Sequence, residues 1–446
     1  MNSKRSSGPE LVLRPAEELV PREDWYAFLK KVAKQITDDS KKSICGKGYK
    51  YTDADYWEVL VFKVLNDLST GEAANELNDL LHERSGVFPR HIGGIAPRFE
   101  RLVPNESQVN NFLRAMPDWL KNTMIERVYK AQFNVARECC LIGDEVEAYF
   151  DFHEHDYYGK DRHPGNPSIV GTYKGAGTNR ARKYNELMVS SGNVKLYVGL
   201  HLVEKGEPKE QWMAEMLAML EKWGVKVKKV MADREYSTYD VLAIMARLGI
   251  PYTGAMKKTP TIKDEVDKYI DGTCPPVVPV VLEPNQAVRN DIGPIDVHII
   301  MKPDDGKTIE TIRKDLRTGK ITRAQAYKQI HVFITTEKAP PNRRELVKWG
   351  INEIRKYRRR WRIESGFRDS DSCTPATRAR TNGLKTFAIF IDRFAFNAWQ
   401  IQKGLRKRLR GVPASWRRGP TLKRFSTATT KIYLSGRPVV NQPVGG

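Results

Sequence analysis

The stretch EVEAYFDFH, residues 145–153, changes the periodicity of the chain and predicts a β-strand. Four more strands are predicted downstream, at residues 184–191, 193–204, 225–235 and 251–258. The first strands follow one another directly, whereas the last two alternate with helices that end at Gly224 and Gly249. This succession is typical of a mixed sheet, so the predicted fold class is α/β.

The regions on both sides of this core are predicted to be helical. In residues 1 to about 140, Asp53 is the expected cap of one helix, residues 71–81 begin a second, and Ser107 is the expected cap of a third. Two helices joined by a short glycine-bearing turn are typical of a DNA-reading unit. They are equally typical of any small helical bundle, and the pattern leaves both interpretations open.

A different composition separates the core from the second helical region. Pro-rich and Val-rich pieces between residues 258 and 335 predict short strands, which we interpret as a β-rich insertion. Long helices are predicted from Arg343 to Phe367 and from Leu384 to Arg408. The expected domains are therefore residues 1–140, 141–257, 258–335, 336–410 and a basic tail at 411–446.

Charge points to the class of partner. The chain has 75 Lys and Arg residues against 54 Asp and Glu, which gives a formal net charge of +21. Such an excess favours a nucleic acid as partner, then an anionic membrane surface, although a basic surface also occurs in soluble proteins without either. The apolar stretch at 387–399 is interrupted by Asp392 and Arg393, so no membrane span is expected. Five cysteines without a C-x-x-C pair indicate reduced thiols and a cytoplasmic protein.

Two aspartates follow apolar runs and are candidate metal ligands. Asp151 lies at the end of AYFDF, and Asp233 ends VKKVMAD. Phosphodiester chemistry with two Mg²⁺ ions requires isolated acids at the ends of buried strands and on an adjoining helix. The simpler alternatives are an ordinary strand-end aspartate for Asp151, with Asp156 as its main competitor, and a helix cap for Asp233.

The third candidate acid is Glu364, in YRRRWRIESGFRD at residues 357–369. On a helix, Tyr357, Arg360, Glu364 and Arg368 fall on one face. A carboxylate between aromatic and guanidinium groups suits a surface that binds phosphate while one acid ligates a metal. A ladder of salt bridges is the alternative.

These residues carry a resemblance to a family. YRRRWRIESGFR resembles the tyrosine–arginine–glutamate signature of prokaryotic insertion-sequence transposases of the DDE kind, with Tyr357, Arg360 and Glu364 in register. The segments around Asp151 and Asp233 resemble those around the first and second catalytic aspartates of that group. The resemblance covers residues 144 to 400, and its third motif is the most specific.

The resemblance implies a ribonuclease-H-like catalytic core, formed by residues 141–257 and 336–410 and interrupted by the insertion. It also implies that Asp151, Asp233 and Glu364 bind two Mg²⁺ ions, for which Mn²⁺ can substitute. Tyr357 and Arg360 would hold DNA phosphate near the cut.

The expected activity is cut-and-paste DNA transposition by a homodimer on double-stranded DNA, at terminal inverted repeats and target DNA. The helical N-terminal region, residues 1–140, is the part expected to bind the element ends, together with basic surfaces. In the cell the protein would lie in the cytoplasm, at the nucleoid when bound to DNA. Terminal-repeat sequence, target preference and excision route do not follow from the sequence.

One position departs from the family pattern. The group has a lysine seven residues after the glutamate, and this chain has Asp371 there. Arg368, one helical turn earlier, offers a cation in its place and is the third candidate for phosphate contact. Two alternatives remain: a DNA-binding protein that has lost catalysis, and a structure-specific nuclease that cuts without joining.

Two other chemistries are less favoured by the sequence. His153, His155 and Asp156 resemble a zinc-ligand spacing, but Tyr157 and Tyr158 stand where further ligands are expected. The segment GTYKGAGTNRARK lacks the order of a P-loop, so no nucleotide cofactor is expected.

Overall fold

The structure is a computed structural model of the 446-residue chain. It describes residues 50–51, 55–56, 59–60, 63, 68–85, 101–115, 118–158, 167–171, 177–192, 194–284, 293–360 and 382–408. Contacts divide the chain into two compact units, one formed by Met1–Leu141 with Arg368–Gly446 and the other by Ile142–Phe367. The predicted basic tail at 411–446 lies outside the described residues.

Bounds are defined for ten α-helices and nine strands in the described parts of the chain. The helices are α1 (Thr70–Ser85), α2 (Glu106–Ala115), α3 (Asp118–Glu138), α4 (Lys209–Lys222), α5 (Tyr239–Leu248), α6 (Pro260–Asp271), α7 (Ile309–Arg317), α8 (Arg323–Lys328), α9 (Arg343–Tyr357) and α10 (Asn382–Arg408). The strands are β1 (Glu145–Asp156), β2 (Val170–Gly171), β3 (Arg180–Ser191), β4 (Val194–Leu202), β5 (Lys226–Ala232), β6 (Tyr252–Ala255), β7 (Val277–Leu282), β8 (Ile295–Pro303) and β9 (Ile330–Thr335). The α/β class expected from the sequence is confirmed.

All nine strands belong to one sheet in the second unit. Its order is β2-β3-β1-β5-β6-β9-β8-β7, and β4 also pairs with β3. Most neighbours are antiparallel, but β1 and β5 are parallel, as are β5 and β6. The β1–β5 pairing ends with Phe150 opposite Ala232. The residues that follow this pair, Asp151 and Asp233, therefore lie at the same edge of the sheet.

Residues 258–335 contain more than short strands with polar connections. β7, β8 and β9 extend the same sheet, and the intervening segments form the helices α6, α7 and α8. α6 has ordinary boundary signals, since Pro260 stands in its first turn and Gly272 ends it with a left-handed φ of 86°. The prediction of strands here was correct, but the helices between them were missed.

Helix α9 packs closely on the sheet in the second unit. A Cβ atom on Gly350 would lie 2.6 Å from the Val277 side chain, so only glycine permits this approach. Val277, Ile300 and Ile354 form a buried cluster beside it. The helix predicted to run to Phe367 ends as an α-helix at Tyr357 and continues as a 3₁₀ turn over Arg358–Arg360.

The first unit is built around α3 and α10. The Gln132 side chain donates a hydrogen bond to the Phe394 carbonyl (3.0 Å) and accepts one from Asn397 (2.9 Å). Asp392 and Arg393, which interrupt the apolar stretch, are both 1% exposed and form an ion pair with each other. Among the described helices, none has the length and apolarity that crossing a membrane requires.

The cap expected at Ser107 is wrong by two residues. α2 begins at Glu106, and Asn105 caps it: its side chain accepts a hydrogen bond from the Gln108 amide at 2.9 Å. The Gln108 side chain accepts one from the Asn105 amide in return, also at 2.9 Å. Asparagine followed three residues later by glutamine is a capping-box pattern, so the signal was present in the sequence.

Candidate active site

The two candidate aspartates project from neighbouring parallel strands. Asp151 is 7% exposed, and its Oδ1 accepts a hydrogen bond from the Phe152 amide at 2.9 Å. β1 continues to Asp156, paired only with β3, so Asp151 is not at the end of its strand. Asp233 directly follows β5 and its side chain is 40% exposed. One aspartate is therefore held in the protein interior while the other faces solvent.

Arg360 joins these two aspartates. One terminal nitrogen lies 2.6 Å from Asp151 Oδ2, and the other lies 3.6 Å from Asp233 Oδ1. The Nε atom donates a hydrogen bond to Tyr357 Oη at 3.1 Å. A planar guanidinium with fixed donors suits such bridging, which a lysine could not reproduce. The structure thus brings together four of the six residues predicted for the site.

Tyr357 lies behind this guanidinium and is 4% exposed. Burial raises the pKa of its phenol above the usual value, and the positive charge of Arg360 opposes this only in part. Its ring also packs edge-on against Phe333, with ring centroids 5.3 Å apart. Tyr357 therefore stays protonated at neutral pH and acts here as a hydrogen-bond partner of Arg360.

Glu364 and Arg368, the other two predicted site residues, lie outside the described residues, as does Asp371. The described segment 293–360 ends at Arg360, and the guanidinium of this residue contacts both aspartates. The roles of Glu364 and Arg368 stay predictions.

The turn that carries Asp233 is held by residues that the sequence analysis did not single out. Tyr236 ends a 3₁₀ turn over Arg234–Tyr236, is fully buried, and donates a hydrogen bond to Asn185 Oδ1 at 2.5 Å. Its ring stacks on Phe152 with centroids 4.5 Å apart. Burial raises the pKa of Tyr236, and the negative charge of Asp151 raises it further. Asparagine within the apolar run YNELMV was the available signal for a buried hydrogen bond.

A buried ion pair fixes α9 against the sheet on the same side as Arg360. Lys229 of β5 and Glu353 of α9 are 4% and 1% exposed, and their charged groups are in direct contact. Glu353 also accepts from Lys356 at 2.7 Å, and Lys229 lies 3.1 Å from Glu337. Since Glu353 precedes Arg360 by seven residues, about two helical turns, this contact orients the segment that reaches the aspartates.

A further acid, Glu186, lies beside Asp151. The two are cross-strand partners in the β1–β3 pairing, so they share one face of the sheet, and Glu186 is 1% exposed. His153 and His155 follow on the same face, with ring centroids 4.5 Å apart. In the part of the chain that the structure describes, no three His, Cys, Asp or Glu side chains form a metal-binding group.

The donor chemistry of the aspartate pair fits a hard divalent cation. Mg²⁺ binds carboxylate oxygens and retains several waters, so two carboxylates within the span of one guanidinium are a suitable donor set. The cationic group of Arg360 occupies the position between them. Asp151 and Asp233 are therefore the described residues that would hold the metal.

Comparisons with known proteins give a structural similarity. The chain matches no protein-family model and no curated protein sequence. Among solved structures, it is similar to a piggyBac transposase, determined by cryo-electron microscopy as a synaptic complex with hairpin DNA. The two chains are 10% identical, with a TM-score of 0.45 over 94% of this chain and 80% of that chain. The residues of the site, and not this similarity, carry the functional argument.

Proposed function

We propose that this protein is a metal-dependent DNA transposase of the DDE kind, with Asp151, Asp233 and Glu364 as its catalytic acids. The observation that carries the proposal is the meeting of Asp151 and Asp233, 82 residues apart in sequence, on one guanidinium at the edge of two parallel strands. An ordinary strand-end aspartate or a helix-capping aspartate does not require a second aspartate to contact the same guanidinium. Asp233 stands at the N-cap position of the 3₁₀ turn Arg234–Tyr236 but makes no capping hydrogen bond with its side chain there, and Thr238 caps α5.

The sheet order also supports a ribonuclease-H-like core. β4, β3 and β1 are consecutive antiparallel neighbours, and β5 and β6 continue in parallel on the other side of β1. In this order Asp151 belongs to β1, and Asp233 directly follows β5, the parallel neighbour of β1. α9 and the turn after it then bring Arg360 to the same edge.

The proposed chemistry is hydrolysis of a DNA strand followed by attack of the freed 3′-hydroxyl on a second phosphodiester. Two Mg²⁺ ions, or Mn²⁺, would supply charge stabilisation at phosphorus and a more acidic water. Asp151 and Asp233 would hold the metal, and Arg360 would exchange its carboxylate partners for a DNA phosphate while Tyr357 orients it. Hydrolysis and joining reuse this one site, since each is an in-line displacement at phosphorus. A homodimer would pair two element ends.

The net charge of +21 supports DNA as the substrate, because phosphate neutralisation by Lys and Arg releases counterions. Double-stranded DNA with terminal inverted repeats, and target DNA, are the proposed partners.

The test uses the full chain, a labelled DNA end and Mg²⁺. We expect wild-type protein to cut and join, and Asp233→Asn to lose cutting while it still binds DNA. Asp296→Asn, at an exposed aspartate on β8, is the matched control and keeps full activity. Binding without cutting by the wild type would favour a catalytically silent binder, and cutting without joining would favour a nuclease. Full cutting by Asp233→Asn would remove that residue from the site.

A further inference from the structure

Cationic side chains crowd around the turn that follows Asp233. Lys183 of β3 lies 2.6 Å from Glu235 Oε2 and 3.4 Å from Glu154. Lys209, the first residue of α4, donates a hydrogen bond to the Glu235 backbone carbonyl at 2.6 Å. Two different elements of the fold therefore direct ammonium groups at one short turn.

Two more cations lie at the same edge of the sheet. Arg234 belongs to the turn itself and is exposed. Lys257 is exposed and follows the carboxyl end of β6, which is parallel to β5 and ends at the same edge as Asp233. We call Lys183, Lys209, Arg234 and Lys257 the cationic cluster.

The cluster concentrates positive charge at this turn. Lys183 pairs with the carboxylates of Glu154 and Glu235, and the charges of Glu235 and Glu210 act on Lys209. Burial lowers the pKa of Lys209, and the charges of Lys257 and Lys183 oppose its protonation further, although Glu235 offsets part of this. Lys209 also begins a helix, where a positive charge opposes the helix dipole. Such an arrangement costs stability in the free protein and becomes favourable when an additional anion binds.

We infer that the cationic cluster binds phosphates of the DNA backbone next to the cut. This inference rests on the proposed function, which puts the cut at Asp233. DNA that presents a phosphodiester to Asp233 must continue past the adjacent turn, where these side chains lie. Lysine acts as a point charge without geometric preference, so the contacts add affinity and position the strand but do not read bases.

The test is the salt dependence of DNA binding in metal-free buffer, measured by fluorescence anisotropy on duplexes of two unrelated sequences. Each phosphate contact contributes about −0.9 to the slope of log K against log salt. We expect Lys257→Gln and Lys209→Gln each to reduce the slope by about 1 on both duplexes. Lys257 is exposed, so its substitution preserves the fold even if that of Lys209 does not.

Lys228→Gln is the matched control. Lys228 is a lysine of β5 near its amino end, at the opposite edge of the sheet, and contacts a glutamate, Glu145, at 2.6 Å. Its substitution leaves the slope unchanged. An unchanged slope in Lys257→Gln, or an equal reduction in Lys228→Gln, would overturn the inference.

Metal-dependent cutting by the wild type separates the two proposals. If cutting is observed and the slopes do not change, the transposase proposal stands and the cluster proposal fails. If the slopes fall as expected but no DNA is cut under any metal condition, the cluster proposal stands and catalysis fails.

Discussion

Replacing Arg360 with glutamine removes the cation that joins the two aspartates, and the structure sets the size of the effect. The side chains of Arg360 and Asp151 are 5% and 10% exposed, and their charged atoms lie 2.6 Å apart. Loss of one partner from a buried ion pair costs about 3–5 kcal/mol, because the remaining charge stays desolvated. The contact to Asp233 adds little, since that carboxylate is 40% exposed and 3.6 Å away. We therefore expect a loss of about 3 kcal/mol in metal-free buffer.

The assay is native-state hydrogen exchange of the β1 and β5 peptides, which reports the opening free energy of this part of the sheet. A double-mutant cycle isolates the pair. Arg360→Gln and Asp151→Asn each lower the opening free energy, whereas the double variant recovers about 2 kcal/mol relative to the sum of the single losses. Additivity to within about 0.5 kcal/mol would refute a coupled buried pair.

Arg358→Gln is the matched control, two residues away. Arg358 contacts Asp305 at the same distance, 2.6 Å, but both side chains are largely exposed. Its replacement should leave exchange in β1 and β5 unchanged. Mg²⁺ provides a second readout: because the guanidinium no longer competes for the carboxylates, the ion should protect Arg360→Gln more than wild type. A tenfold gain in metal affinity corresponds to about 1.4 kcal/mol.

Two predictions concern the supports of the site. Burial raises the pKa of Glu353, but hydrogen bonds from Lys229 and Lys356 outweigh it, and the net pKa is below the usual 4.5. The ionised Glu353 carboxylate therefore stabilises the folded protein above pH 4.5, and this stabilisation is lost as the pH falls through the lowered pKa. We expect the urea midpoint of unfolding to decrease on acidification by more in the wild type than in Glu353→Gln. Gly254→Ala would place a Cβ 2.6 Å from Ser237 Oγ and should cost about 1–3 kcal/mol by thermal unfolding, whereas Gly171→Ala, with open space, should not.

Local patterns predicted most of the elements that position the site. β-branched and aromatic runs predicted β1, β3, β4, β5 and β6, and the alternation with helices predicted a mixed sheet. Aspartates that follow apolar runs on two parallel neighbouring strands then come to the same edge of the sheet. The convergence of Asp151 and Asp233 was thus within reach of the sequence, because strand direction alone brings them to one edge.

Contacts between distant residues were not predictable from a single sequence. Lys229 and Glu353 are 124 residues apart, and Tyr236 and Asn185 are 51 apart. Each of these residues is polar within an apolar context, which signals that a partner exists but not which one. Helix α6 was missed because the Pro-rich and Val-rich composition of residues 258–335 favoured strands. Its capping glycine and first-turn proline were nevertheless recognisable helix signals in the sequence.

The two ion pairs of the α9 segment differ in a way that suits the exchange of partners proposed for Arg360. Lys229 and Glu353 are enclosed, so their contact is lost only when the helix leaves the sheet. Arg360 is held on one side by buried Asp151 and on the other by solvent-exposed Asp233. Exchange of a carboxylate for a phosphate at Arg360 therefore needs movement at the end of the segment alone, while Glu353, about two turns earlier, keeps the helix in place.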